Sequence, residues 1–558
     1  MFLSNFVLAL LAGSKKEEVE LRPLKVMLHM GYGSLSHIKP LLEIGTVLRD
    51  RNHTVMYAVT SNYEHFNRPY NFPFITLGNS GEDKLSIRDD IKKTFSKRKH
   101  VDAASLFKTM FTKVMPIYYK TIYPRLSSVV DLEQPDVLIC DFFSPACRDV
   151  AEMKGIPLIT GFQSTDIFGI APSPFITNSL DYGSITTDNL SFSQRFHDKI
   201  LLPIKNLVSF HPMVRALNTV RAKYGVPPSP HPFGDFTTSL GLANTFVGFE
   251  AATSLPPHIK MVGPIESSEC LSLTRGLEVF LEDHPRTMYI GFGSVVVLAE
   301  FDLHNLVVGS LNALANGSID GVIWGLGRTT IDDFPSTFSI NGSVVTSDFL
   351  YNNRHPHIQI LPWAPQAAIL EHKNTKLFLS HGGLESSFEA INSGTPVLCM
   401  PFLGDQPRNA RKLEDAGIGK YVDRVKATPS SISKDISSML EDPHGEIAMN
   451  VARMQTLASG RSRRKEEGAD AVEEYAYTAI ACRPSQTHKY GEIPCELKHL
   501  TMASRRMPYI KANLIDVYLF AIFLVLAFSL AGTKAVLKLA RVIKCKFQPT
   551  VSEKRKSQ

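Results

Sequence analysis

The densest run of chemically useful side chains lies in the second half of the chain: Trp363 and Gln366, then Ser380-His-Gly-Gly383, Ser386 and Glu389, and further on Asp405, Gln406 and Asn409. His381 to Gly383 follow an apolar run and open a helical pattern. Free backbone N–H groups and the positive end of a helix dipole would face whatever binds there, and a diphosphate is the expected ligand. Ser386 adds a hydroxyl donor and His381 an N–H, while Glu389, one turn into the helix, offers two acceptor oxygens to a pair of sugar hydroxyls. Trp363, one of two tryptophans, has an indole plane suited to stack on a base.

A second constellation sits near the start. His37 falls in the loop predicted to leave a first strand, and Asp141 ends a later one, so both lie at carboxyl ends of strands, where open α/β sheets bind ligands. A histidine that accepts a proton and a carboxylate that steadies the imidazolium suit a reaction in which a hydroxyl must be deprotonated. An aspartate in that place can equally cap the next helix. Neither a CxxC pair nor a histidine cluster suggests a metal ion.

The elements that must hold these residues alternate. Residues 25–30 read as a first strand, 38–49 as an amphipathic helix and 53–60 as a second strand; 135–141 and 156–160 form another strand pair around a helical stretch. Residues 226–233 and 255–268 read as connections, which places a boundary near 270. After it the strands restart at 287–292, 322–326, 357–361, 376–380 and 397–400. Two successive doubly wound domains are the simplest architecture. Within 90–122 a stripe of Phe107, Phe111, Val114, Tyr118 and Ile122 reads as core packing, with an acceptor-pocket wall as the alternative. Phe168, Phe175, Phe192 and Phe196 add to the apolar aromatic content expected of an acceptor pocket.

The segment from Trp363 to Gln406 resembles the signature of the UDP-dependent glycosyltransferases, the family of animal UDP-glucuronosyltransferases and of plant and fungal glucosyltransferases. The resemblance implies an α/β, GT-B fold: two Rossmann-like doubly wound domains facing across a cleft, an acceptor-binding one over 24–268 and a UDP-sugar-binding one over 269–483. It further implies that Trp363 stacks on uracil, Gln366 and Glu389 hold the ribose, His381, Gly383 and Ser386 hold the diphosphate, and Asp405 and Gln406 hold hydroxyls of the transferred sugar. Ser294, in the Gly291-Phe-Gly-Ser294 turn, matches a further donor-side position, and His37 and Asp141 match the family's catalytic pair. The implied reaction is inverting transfer of a hexose from a UDP-sugar to a hydroxyl of a small lipophilic acceptor, with His37 as base, Asp141 as stabiliser and no metal or cofactor beyond the UDP-sugar co-substrate. Gln406 is compatible with glucose or glucuronic acid, and UDP-glucose is the preferred expectation.

One residue departs from the family pattern. Glu385 stands where an asparagine is usual. A carboxylate beside a diphosphate repels it by an amount on the order of kcal/mol at an effective dielectric of about 20, so Glu385 turns away, pairs with a cation, or weakens donor binding. Two rival readings are a non-catalytic protein that keeps the fold to bind nucleotide sugar or lipid, and a GT-B enzyme of lipid-linked glycan assembly. The joint presence of base, stabiliser and sugar contacts argues against the first; the match from Trp363 to Gln406 argues against the second.

The formal charge of +6 gathers at the end, where Lys534 to Gln558 hold eight basic residues against Glu553 alone. The near-neutral remainder carries no electrostatic footprint for nucleic acid. Before that tail, residues 514–533 carry one ionisable group, Asp516; about 20 apolar residues span the ~30 Å core of a bilayer. A single membrane helix follows, with the basic tail 534–558 cytosolic and the rest lumenal. The terminal lysines resemble a retrieval signal of the endoplasmic reticulum. Residues 1–14 read as a signal peptide, 484–513 as a juxtamembrane segment, and Cys482 and Cys495 are close enough to close a small loop. Homo-oligomerisation is left open.

Overall fold

The computed structural model describes residues 22–79, 93, 95–99, 107–165, 173–178, 183–232, 234–266, 271–327, 329, 333–340, 343–351, 354–460, 463–482 and 489–546. The signal-peptide reading, Phe168 and the terminal lysines lie outside them. The chain forms two contact units, Met1–His499 and Leu500–Gln558.

The first unit holds two parallel sheets. One is built from β1 (Lys25–His29), β2 (Thr54–Val59), β3 (Phe74–Thr76), β4 (Val137–Asp141), β5 (Leu158–Phe162), β6 (Leu240–Ala243) and β7 (Ile259–Met261), in the order β3-β2-β1-β4-β5-β6-β7. All five residues of β4 and of β5 are buried. That is why these strands read as unbroken apolar runs: helices cover both faces. The other sheet contains β8 (Thr287–Gly291) and β9 (Gly321–Gly325), then, beyond an antiparallel hairpin of β10 (Thr337–Ile340) and β11 (Ser343–Thr346), β12 (Ile358–Leu361), β13 (Thr375–Ser380), β14 (Val397–Cys399) and β15 (Gly419–Tyr421). Its order is β12-β9-β8-β13-β14-β15.

In each sheet the chain winds outward one way from the first strand and then the other way from its neighbour. The reversal falls between β1 and β4 in one sheet and between β8 and β13 in the other. A crevice opens at such a reversal beyond the strands' carboxyl ends, and ligands of open α/β sheets bind there.

Sequence reading places most of these strands within two residues of their ends. It misses β3, β6, β15 and the hairpin, and it takes 255–268 for a connection although β7 lies inside it. β7 has only three residues and sits at the sheet edge between prolines, so it offers no run for periodicity to detect. Helix α1 (Leu35–Asp50) begins earlier than its apolar pattern, because its first turn is polar. His37 therefore sits in the first turn of a helix, where a loop was expected.

The helices that matter below are α2 (Met115–Glu133), α3 (Pro145–Lys154), α4 (Leu202–Arg221), α5 (Glu300–Ala315), α6 (Gln366–Glu371), α7 (Leu384–Ser393), α8 (Gln406–Asp415), α9 (Glu446–Ser459) and α10 (Arg464–Cys482). α10 returns to the first sheet and packs on α1: Lys465 bonds Glu43 at 2.8 Å, Arg51 bonds Asp470 at 2.7 Å and His53 meets Glu473 at 2.7 Å. Cys482 is disulfide-bonded to Cys495, and Tyr490 donates to the buried Asp149 at 3.0 Å. A second disulfide, Cys140–Cys147, ties the end of β4 to α3 and had no signal in the spacing of the cysteines.

In the second unit α11 (Ile515–Lys546) is long and apolar enough to cross a membrane over Ile515–Lys544. It runs on through Lys534, Lys538, Arg541 and Lys544, so the first part of the expected tail is helical.

Candidate active site

The first crevice holds His37 and Asp141. Ile38, Leu41, Leu42 and Leu48 bury one side of α1 against the sheet and so fix the helix's rotation. In that rotation His37 Nδ1 meets Asp141 Oδ2 at 3.1 Å. The other carboxylate oxygen accepts the Phe143 N–H at 3.0 Å, which holds Asp141 in place. With an Nδ1–H donated to the carboxylate, Nε2 is left as the lone pair. The imidazole lies near-parallel to Phe142 at 5.4 Å and tilted to Phe143 at 5.5 Å, and Gln163 Nε2 donates to the His37 carbonyl at 3.2 Å. Burial alone would lower the imidazole's pKa. The Asp141 charge and hydrogen bond, with Asp405 of the other sheet adding to them, raise it above the ordinary value instead. Behind the pair stands an apolar cluster of Phe111, Met115, Phe142, Phe162 and Phe236.

The second crevice holds the run that follows β13. Gly383 is the N-cap of α7 in extended conformation, and no side chain caps the helix, so its first-turn N–H groups remain available to a ligand. Gly382 takes φ +78°, which carries the chain sharply from strand to helix. Asn409 Nδ2 pins this turn from α8, donating to the Gly382 carbonyl at 3.0 Å and to Asp405 Oδ2 at 2.7 Å. The His381 ring is buried between Gly293 and Gly383: a Cβ added at either glycine would lie 2.7 or 2.5 Å from its Nε2. Burial pushes its pKa down to about 4 and outweighs a hydrogen bond to the Gly291 backbone, so the ring is neutral.

Gln366, which opens α6, donates its Nε2 to Ser386 Oγ at 2.9 Å and to Glu389 Oε2 at 2.6 Å, so these three sequence-distant residues form one network. Burial, with Glu385 close by, pushes the Glu389 carboxyl up to about 7. Trp363, in the loop after β12, is 65% exposed and presents its ring outward, while Ser294 is exposed in the turn after β8. Asp405, the N-cap residue of α8, is exposed, and its Oδ2 is held by Asn409. Gln406 differs from expectation: its side-chain oxygen accepts the N–H groups of Phe402 and Leu403 at 2.9 and 3.0 Å, so only its amide nitrogen is left for a ligand.

Glu385 pairs with a cation. Lys39 on α1 reaches across from the first sheet and donates to its carboxylate. The sequence reading names a cationic partner as one of three outcomes but does not find Lys39; its signal is a lysine two residues beyond the candidate base. Other bridges join the sheets: Lys412 of α8 bonds Glu250 at 2.6 Å with both side chains buried, and Arg408 donates to the Thr177 carbonyl at 3.0 Å. Phe175, Phe192 and Phe196 are exposed on the surface. Phe111, Tyr118 and Ile122 are buried, as core packing requires. A polar groove of about 670 Å³ beside α10, lined by Arg51, His53, Asp470 and Glu473, shares no residue with this site.

Two crevices facing each other, one with a histidine–carboxylate pair and the other with an uncapped helix terminus, suit group transfer between two bound substrates. The family model described as "UDP-glucoronosyl and UDP-glucosyl transferase" matches residues 131–458. A UDP-glycosyltransferase of Talaromyces amestolkiae is 30% identical over 86% of this chain and 91% of its own. The UDP-glycosyltransferase stmC of Aspergillus ustus is 30% identical over 89% of this chain and 94% of its own. Among solved structures, the glycotransferase of kitacinnamycin superposes with TM-score 0.54 at 16% identity, covering 81% of this chain and 99% of that one, which supports the GT-B fold. The crevices, the matched segment and the full-length relatives together make this chain a member of the UDP-glucuronosyl and UDP-glucosyl transferase family, an enzyme that transfers sugar from a UDP-sugar.

Proposed function

We propose that this enzyme transfers a hexose with inversion onto a hydroxyl of a small lipophilic acceptor, with His37 as base and Asp141 as its partner. The observation that carries the reading is the 3.1 Å contact of His37 Nδ1 with Asp141 Oδ2, within electrostatic range of Asp405 on the opposite sheet. The acceptor O–H gives its proton to Nε2 as its oxygen attacks the anomeric carbon. Asp141 stabilises the imidazolium that forms. The bond to UDP breaks on the opposite face, so an α-linked donor yields a β-glycoside.

Negative charge growing on the leaving diphosphate meets the N–H groups at the start of α7, with Gly383, His381 and Ser386 around it. His381 lies beside this turn as a neutral ring. Trp363 stacks on uracil, Gln366 and Glu389 take the ribose hydroxyls, and Ser294 lies on the donor side. Asp405 and the free amide nitrogen of Gln406 hold the sugar, for which UDP-glucose is our preferred donor. These fixed donors carry the charge neutralisation in this reading, so treatment with a chelator should leave the rate unchanged. The rings of Phe111, Phe142 and Phe143 beside His37 favour an apolar acceptor.

The first sheet would bind the acceptor and the second the donor. We further place the enzyme in the membrane of the endoplasmic reticulum as a single-pass protein with its sheets lumenal. The apolar α11 with lysines at its far end supports this, as do two disulfides that suit an oxidising compartment. The test is His37→Ala, which should abolish transfer while UDP still binds in calorimetry; near-normal turnover would refute the assignment.

A further inference from the structure

The donor helix of this chain carries a charge problem that its relatives' usual asparagine would not create. Glu385 lies in the first turn of α7, beside Ser386, and Glu389 follows one turn later on the same face. Two carboxylates therefore flank the helix end that offers its N–H groups to an anion. Each would oppose a diphosphate within several ångströms, with an energy of order kcal/mol even at an effective dielectric of about 20.

Lys39 stands opposite both. It comes from α1 of the other sheet, two residues past His37, and its ammonium is hydrogen-bonded to Glu385 with Glu389 and Glu43 in electrostatic range. The lysine side chain is 14% exposed and the glutamate side chain 33%. Partial removal from water makes such a pair less screened than a surface ion pair. Burial tends to discharge the ammonium, but the surrounding carboxylates more than reverse this and keep it protonated. His37 and Lys39 share the start of one helix, so the element that positions the base also delivers a cation to the donor side of the cleft.

We propose that Lys39 is a donor-site residue supplied by the opposite sheet, whose ammonium cancels the charge of Glu385 so that an anionic nucleoside diphosphate can seat at the start of α7. The proposal rests on the reading that this helix terminus holds the diphosphate. Lys39 touches none of the reacting atoms; its role is electrostatic and positioning. Losing it should weaken donor binding much more than the chemical step.

The test is calorimetry of UDP with the full-length protein, paired with donor kinetics, on four chains: wild type, Lys39→Met, Glu385→Asn and the double variant. Lys39→Met should weaken UDP binding tenfold or more and raise the donor KM by a similar factor, with kcat within about threefold. Glu385→Asn, which leaves the lysine opposed by one carboxylate fewer, should bind UDP a few-fold more tightly. The double variant should return to near the wild-type affinity, a rescue that a merely structural lysine would not give. Unchanged UDP affinity in Lys39→Met overturns the proposal, as does failure of Glu385→Asn to restore it. Should Lys39→Met not fold, Glu385→Asn alone decides: equal or weaker UDP affinity overturns the proposal. A wild-type chain that does not bind UDP at all overturns the donor site itself, an outcome separate from insensitivity to these substitutions.

Discussion

His37 is held between two opposed influences, and their balance sets how the enzyme should respond to pH. Desolvation favours the neutral ring, while the Asp141 carboxylate at 3.1 Å and the more distant Asp405 favour the imidazolium, and the carboxylates prevail. A base works only when unprotonated, so kcat/KM should rise with pH through a midpoint above 6.5, the ordinary imidazole value. In Asp141→Asn desolvation is opposed only by the more distant Asp405. The midpoint should move to lower pH, and the plateau rate should fall by about 10²- to 10⁴-fold, the usual worth of a positioned acid–base group. A pH–rate profile of the two proteins checks both shifts; an acid limb that stays in place would mean that another group titrates. Donor binding has its own pH dependence. Burial and Glu385 hold the Glu389 carboxyl up to about 7, and a ribose needs the ionised form as acceptor. UDP affinity should therefore fall as pH drops through that value, and Glu389→Gln should bind weakly at every pH. A flat affinity between pH 6 and 8, roughly one unit on either side of that pKa, would show that the ribose lies elsewhere.

Among the elements, the turn from β13 into α7 has little freedom, because the His381 ring fills the space in which side chains on Gly293 and Gly383 would stand. Gly383 has φ −61°, a conformation open to any residue, so its alanine variant tests packing with little backbone strain. The new Cβ would meet the ring nitrogen at 2.5 Å and force His381 aside. Gly383→Ala should lower UDP affinity at least tenfold, with a loss of stability of about 1–3 kcal/mol from overpacking; calorimetry and thermal melting read the two separately. Much of this element was legible in sequence because its parts are contiguous: an apolar run, two glycines and a helical pattern follow one another within about twenty residues of Trp363. The strands beside it were legible for the same reason, since parallel strands buried on both faces spell themselves as apolar runs. What sequence could not supply depends on pairing across the cleft. Lys39 and Glu385 are 346 positions apart, and neither residue alone signals the other. The start of α1 is not marked by periodicity, because Leu35 to His37 form a first turn with no buried side chain. The sequence around Gln406 also carries no sign that the fold uses its side-chain oxygen to satisfy two backbone N–H groups.

At the scale of the whole molecule, the globular part does not end where the second sheet ends. α10 returns to the first sheet through Lys465, Asp470 and Glu473, and the residues after it continue to pack. Leu497 and Glu496 are buried, and Tyr490 donates to Asp149, a carboxylate that Arg221 and Tyr119 also bond in the interior. Part of the segment expected to be a juxtamembrane spacer over 484–513 is thus structural, and the change of unit comes at Leu500. Two truncations separate these roles. A chain ending at His499 keeps the disulfide, Leu497 and Tyr490, and should bind UDP like the full protein, melt within a few degrees of it and leave the membrane fraction. A chain ending at Cys482 loses the crosslink over a 13-residue separation, worth about 3 kcal/mol, together with about 2 kcal/mol of apolar burial at Leu497. Against a total stability of about 5–15 kcal/mol that loss is large, so this shorter chain should be mostly aggregated or should melt several degrees lower, the shift being roughly 2–4 °C per kcal/mol for a domain of about 150–250 residues and less for a larger cooperative unit. Melting curves and sedimentation of the two proteins decide the point. Equal stability would mean that residues 489–499 merely rest on the surface, and retention of the His499-terminated chain in membranes would mean that α11 is not what holds the enzyme there.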